Sequence, residues 1–242
     1  MAILEEVMLQ KYTRREFREA LEEGKFRTAI IPTGSIEQHL EHLPMEHDIA
    51  SSTWVAREVA LRLYPQVIVA VPMAVGISEH HMVHKGSLTA KPGSWLALLF
   101  DVVESFVRHG IHNILVLNGH GGNVQPVNAI MGQWQLYFEK TAPETNLHFH
   151  PYWNLIPKAL IDELMTTKIA PGHAQEFETS LAMFMFPENI RQQAMQEQED
   201  KTPLEASGEK GRIMGEEAVN RVVEYVQAMM EGKRLLEAGE RY

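Results

Sequence analysis

Ile114-Leu115-Val116-Leu117-Asn118-Gly119-His120-Gly121-Gly122-Asn123 passes from an unbroken apolar run into three glycines around one histidine. Four consecutive apolar residues closed by a turn signal read as a short strand buried on both faces. Val124–Lys140 then has helical spacing, so the glycines sit at a strand-to-helix turn. Glycines there permit positive φ and a close approach of the backbone to a ligand. The turn lacks the lysine and Ser/Thr of a phosphate loop and the full dinucleotide-binding fingerprint. It reads either as a seat presenting His120 at the sheet's edge or as a plain tight turn with an incidental histidine.

The same alternation extends in both directions. Thr28–Thr33, Gln66–Pro72 and Leu147–Trp153 read as three more strands, the first ending in Gly34. Asp48–Tyr64, Gly93–His109, Glu176–Phe186 and Glu216–Glu231 have helical spacing. Thr13-Arg14-Arg15-Glu16 is a capping-box pattern opening a helix that Gly24 closes. Strands alternating with helices of this length imply an α/β fold with a mostly parallel sheet covered on both faces. No repeat or linker interrupts residues 1–242, which read as a single domain. Ligands on such sheets bind outside the carboxyl ends of the strands. The Gly34–Asp48 and Asn118–Asn123 segments should both open there.

Composition narrows the chemistry. The 242 residues include 32 acidic and 22 basic ones, a net charge of −10 that disfavours a nucleic-acid partner. No basic patch interleaved with aromatic residues is present either. The apolar runs are too short to span a bilayer, so no membrane partner is expected. Residues 1–25 are acidic and helical in pattern, unlike a signal peptide, and the expected location is the cytoplasm. There is no cysteine, so a metal must be held by histidine and carboxylate. The chain has 12 histidines.

Their placement is uneven. GSIEQHLEHLPMEHD (Gly34–Asp48) carries Glu37 and His39 two positions apart, on one side of an extended segment. Asp48 follows at a helix start, where a carboxylate also serves as a cap. The segment suits a divalent ion such as Zn, Mn or Fe(II), and it equally suits a solvated charged loop. In PGHAQEFETS (Pro171–Ser180), Glu176 fits a helix first turn, whereas Glu178 precedes an apolar run where an uncompensated carboxylate is costly. Glu79, His80, His81 and His84 follow the second strand as pocket-lining candidates. No G-x-S-x-G elbow accompanies these histidines. Glu37, His39, Asp48, His120 and Glu178 exceed what one four-coordinate zinc needs, and five such groups fit a two-metal hydrolytic site.

These segments together resemble the creatininase family of metal-dependent amidohydrolases. The first family motif, G-S-x-E-Q-H-G-P-H-L-P-x-x-x-D, stands here as Gly34–Asp48. N-G-H-G-G-N is Asn118–Asn123, H-A-x-x-x-E-T-S is His173–Ser180, and a further serine-histidine segment is matched within Gly76–Thr89. The resemblance implies a three-layer α/β/α sandwich, two divalent metal ions (Zn, Mn or Fe) and a homo-oligomer, a hexamer in relatives. It places Glu37 and His120 on one ion and His39 on the other, with Asp48 bridging, and makes His173 the proton-transfer residue. Creatinine-cleaving members carry a further glutamate where Gly122 stands, and Glu178 takes over its role. Leu40-Glu41-His42 replaces G-P-H, His47 precedes the bridging aspartate, and His84-Lys85-Gly86-Ser87 replaces F-P-G-T. Ile169, Ala170 and Pro171 stand where creatinine-cleaving members have aromatic contacts, which argues against creatinine itself.

The implied activity is hydrolysis of a small molecule at a cyclic amide or related ring carbonyl. Ring opening of a keto-inositol at a C–C bond and formamide hydrolysis are the alternatives, and His80, Lys85, Ser87 and Trp153 are the candidate substrate contacts. A non-catalytic metal-binding protein on the same fold is the competing class. It would need neither His173 nor an open metal position. Trp95 and Trp134 on long helices, with the methionines of Glu216–Glu231, are candidate interface residues.

Overall fold

In the computed structural model, which describes residues 5–233, all six residues of Thr28–Thr33 are buried, as expected of a strand covered on both faces. In chain order the elements are α1 (Arg14–Glu22), β1 (Thr28–Thr33), α2 (His47–Arg62), β2 (Val67–Val69), α3 (Pro92–Arg108), β3 (Asn113–Asn118), α4 (Val124–Thr141) and β4 (Asn146–Pro151). Then follow α5 (Lys158–Leu164), α6 (Glu176–Met185), α7 (Gln192–Glu197) and α8 (Gly208–Met230). The sheet order is β2-β1-β3-β4 and every pairing is parallel.

Alternation along the strands divides the core. Ile30, Val67, Val69, Leu115 and Leu117 pack with residues of α2, α6 and α8. Ala29, Ile31, Ile68, Ile114, Val116, Leu147 and Phe149 pack with residues of α3 and α4, joined by Ala20 of α1. This is the three-layer α/β/α arrangement. Trp95, Trp134 and Met229 are buried in these layers, so they fill the core and offer no interface. At the amino end, Thr13 and Glu16 form the expected reciprocal cap.

β4 stops at Pro151, where the sequence reading runs to Trp153, α5 and α7 have no counterpart in that reading, and two further elements differ from it chiefly at one end. β2 ends at Val69 because the chain beyond it keeps only scattered bonds to β1, with Ala70 N donating to Ile30 O and Met73 N to Pro32 O. α8 begins at Gly208 and not at Glu216, capped by Ser207, whose hydroxyl accepts from Lys210 N. Gly211 looks like a helix breaker but is a packing device. A Cβ at Gly211 would lie 1.8 Å from Ser180 O, so the glycine lets α8 cross α6 backbone against backbone.

The chain direction creates the site. β1 leads into α2 on one face and the adjacent β3 into α4 on the other, so their carboxyl ends diverge and leave a crevice. Thr33 and Asn118 close its floor, the Thr33 hydroxyl donating to Asn118 Oδ1 at 3.0 Å. The glycines of the β3–α4 turn serve a different purpose from the one their composition suggests. None of Gly119, Gly121 and Gly122 has a left-handed φ. What Gly119 provides is proximity: a Cβ there would lie 2.1 Å from the Asp48 carbonyl oxygen. A Cβ at Gly121 would meet no atom within 4 Å among the described residues beyond its chain neighbours. Gly119→Ala should therefore lower stability by about 1–3 kcal/mol through overpacking, while Gly121→Ala leaves the urea midpoint nearly unchanged. Equal midpoints for the two variants would show that the close approach is not a constraint.

Candidate metal centre

Asp48, the second residue of α2, is where the two loops of the crevice meet. Its Oδ1 lies 2.9 Å from His39 Nε2, and its Oδ2 lies 2.8 Å from His120 Nδ1. Each imidazole is oriented through its other nitrogen by a backbone carbonyl. His39 Nδ1 is 3.1 Å from Glu37 O, and His120 Nε2 is 3.1 Å from Ile77 O. A carbonyl partner of this kind fixes the ring and leaves the opposite nitrogen for a metal. Glu37 lies beside this pair, its Oε2 3.3 Å from His120 Nδ1 and accepting from the Ser78 hydroxyl. Glu178, in the first turn of α6, accepts from Ala174 N. Three sets of possible ligand atoms each converge within 4.8 Å among the described residues: Glu37, His80 and His120; His39, Asp48 and Glu178; and Glu37, His39 and His173.

Glu37, Asp48 and Glu178 are only 2, 3 and 8% exposed. Three carboxylates so deeply buried need compensation. In the absence of cations the histidines provide it. Burial alone lowers the His39 pKa, but Asp48 and Glu178 overcome this and raise it to about 9. For His120, burial is likewise outweighed by Asp48 and Glu37, and its pKa rises to about 10. Burial resists ionisation of Asp48 too, yet both histidines hold its pKa well below the usual range. Burial pushes Glu178 up to about 7 against the pull of His39. Divalent cations would replace these protons, and a donor set of carboxylate oxygens and pre-oriented imidazoles suits them.

His173 stands across the cavity on the loop before α6. Its Nε2 donates to Gln38 O at 2.7 Å, and its Nδ1 is 3.9 Å from Glu37 Oε1. Burial, with His39 and His81, lowers its pKa to about 4. The cavity, about 350 Å³, is lined by Glu37, Asp48, His80, His81, Gly119–Gly122, Trp153, Pro171–His173 and Glu178. Of the expected substrate contacts, His80 and Trp153 line it. Lys85 lines a separate cavity of about 820 Å³ with Gln38, Glu41 and Gln198. Ser87 is buried and accepts from Gln38 N at 3.1 Å, so it braces the Glu37–His39 segment.

Several residues acquire roles that spacing alone does not reveal. His81 Nε2 is 3.4 Å from Glu37 Oε1, and its ring stacks on His173 at 4.6 Å. Asn123 ties three segments together: its Oδ1 accepts from Ile77 N, and its amide donates to Gly34 O and Asn118 Oδ1. His42 bridges Thr179 and Gln198. Glu176 caps Thr166 N and Thr167 N and pairs with Lys210. Leu40 adopts φ +53, which explains the glycine in the motif it departs from. A Cβ at Gly122 would meet Ile77 O at 2.2 Å, so this backbone admits no side chain there.

The creatininase family model, described as creatinine amidohydrolase, matches residues 10–223. The chain belongs to the creatininase family. It is 29% identical over 196 residues to a 3-dehydro-scyllo-inosose hydrolase from Thermotoga maritima, covering 77% of this chain and 58% of that protein. It is 32% identical over 111 residues to a mycofactocin precursor peptide peptidase from Mycobacterium ulcerans, covering 43% and 44%. The match thus spans about half the length of these curated relatives. A solved creatinine amidohydrolase shares the fold at a TM-score of 0.79, with 20% identity over 93% of this chain and 98% of that one.

The protonation pattern makes stability depend on pH. His47 is buried, neither ring nitrogen has a hydrogen bond among the described residues, and burial together with His39 lowers its pKa to about 3. His47 and His173 are depressed below the ordinary 6.5, so below that pH the unfolded chain binds more protons and stability falls. Raised Glu178 offsets part of this loss. His39 and His120 are raised, so their contribution is full below 6.5 and is lost as pH climbs through about 9 and 10. Urea midpoints measured with chelator should peak near neutrality and fall on both sides. A midpoint that keeps rising to pH 10 would mean the two imidazoles are not protonated in the metal-free protein.

Proposed function

We propose that this protein is a two-metal hydrolase that opens a cyclic amide or a related ring carbonyl of a small molecule. The observation that carries this reading is Asp48, whose two oxygens each face a histidine from a different loop, with Glu37 beside one and Glu178 beside the other. Glu37, Asp48 and His120 would hold one divalent ion, and His39, Asp48 and Glu178 the second. When bound, such a pair would lower the pKa of water and polarise a carbonyl. Creatininase structures in manganese and zinc–zinc forms support Mn or Zn as the metal.

The protein's own groups perform the remaining work. His173, neutral with its Nε2–H committed to Gln38 O, turns Nδ1 towards the site to accept a proton and return it to the leaving atom. Trp153 and Pro171 wall the cavity, whose size suits one small ring. A second reading, C–C ring opening of a keto-inositol, is supported by the likeness to the inosose hydrolase across 77% of this chain. Parallel assays on cyclic amides, formamides and keto-inositols decide between them. Absence of turnover on all three, with both metals bound, would reject the hydrolase reading.

Asp48→Ala should abolish binding of both ions, as judged by elemental analysis; loss of one alone would show that Asp48 does not bridge. His173→Ala should retain both ions while turnover falls by roughly 10²–10⁴-fold. His173 also lies within reach of Glu37 and His39 as a donor, so loss of one ion in that variant would make it a ligand instead. Association of copies, if it occurs, has exposed Val71, Met82, Val83 and Leu88 to draw on, since Trp95 and Trp134 are buried. Sedimentation at 27.5 kDa would exclude it.

A further inference from the structure

We infer that His80 is a ligand to the Glu37–His120 ion, so that the two metal sites are unequal, one closed by the protein and one open to substrate. The inference rests on the two-metal reading. His80 lies in a single 3-10 turn, Glu79–His81, that follows Ser78. That turn is anchored to the site, because the Ser78 hydroxyl contacts both Glu37 Oε2 and His120 Nε2. The His80 ring lies nearly parallel to His120, with centroids 5.8 Å apart and planes 11° apart. A ring nitrogen of His80, one of His120 and an oxygen of Glu37 are all within 4.8 Å of one another.

Bonds of about 2.0–2.2 Å to one ion allow its donor atoms to be up to roughly 4 Å apart, so the three need to close by less than about 1 Å. The bare backbone at Gly122 lets both rings lie close to it: a Cβ there would be 3.0 Å from His80 Cε1 and 2.4 Å from His120 Nε2. With His80 included, Glu37, His80, His120 and Asp48 give one ion four protein donors. His39, Asp48 and Glu178 give the other only three. A four-donor site is closed, whereas a three-donor site keeps a position for water or substrate. The open ion is therefore the one beside Glu178, and the substrate carbonyl belongs there.

The test is metal loading of the full chain with zinc alone, followed by elemental analysis and chelator competition. The wild type should bind two ions. His80→Ala replaces an exposed side chain, and His84→Ala serves as a control on a neighbouring exposed histidine. His80→Ala should keep one ion at wild-type affinity and weaken the other by at least about tenfold, since loss even of an outer partner costs 10–100-fold. His84→Ala should match the wild type. Two ions retained by His80→Ala at wild-type affinity would overturn the assignment, even if turnover fell. One ion or none in the wild type would overturn the two-metal reading itself, an outcome visible before any variant is made. A circular dichroism spectrum of His80→Ala that differs from the wild type would assign the effect to folding and also overturn the proposal.

Discussion

A carboxylate at 3% exposure is the constraint around which this protein is organised. Asp48 cannot be buried as a bare charge, and water cannot reach it in quantity. Two histidines from separate loops compensate it, one from the segment after β1 and one from the segment after β3. Those loops reach the same point because β1 and β3 are neighbours whose following helices lie on opposite faces. The site is thus a consequence of strand order as much as of side-chain chemistry.

Bringing Asp48 that close demands bare backbone around it. Gly34 abuts Ile49, Gly119 abuts the Asp48 carbonyl, and Gly76 abuts the Gly34 carbonyl. Asn123 then stitches the three loops through backbone amides and carbonyls, so the donors are held before any cation arrives. Pre-orientation matters because a site that must reorganise loses binding energy to do so. The protons on His39 and His120 keep the metal-free arrangement from repelling itself. Cations and protons compete for one set of lone pairs, which couples metal affinity to pH.

The local architecture was largely legible in the residues. The strand at Thr28–Thr33 and the capped helix after Thr13 follow from apolar runs and cap chemistry, and both appear as read. The candidate ligands were legible for a similar reason. Charged residues beside strand ends, in a chain without cysteine, leave few alternatives. What misled was glycine. In the β3–α4 turn the composition suggests positive φ, and ahead of Glu216 the spacing gives no sign that the helix begins at Gly208. In both places glycine is there for close packing, at Asp48 and at Ser180. A glycine's neighbours in space are not encoded in its neighbours in sequence.

The sequence by itself determined the fold class, offered five acidic and histidine residues as candidate ligands, and excluded thiol chemistry. These follow from local periodicity and residue type. The tertiary structure alone decided the remaining placements. Lys85 lines a different cavity, and Ser87 braces a loop instead of facing substrate. His81 lies against Glu37 and His173, and His80 against His120. The physical reason is distance along the chain. Between Glu37 and Glu178 lie whole strands and helices, and only their packing sets which side chains meet across a few ångströms.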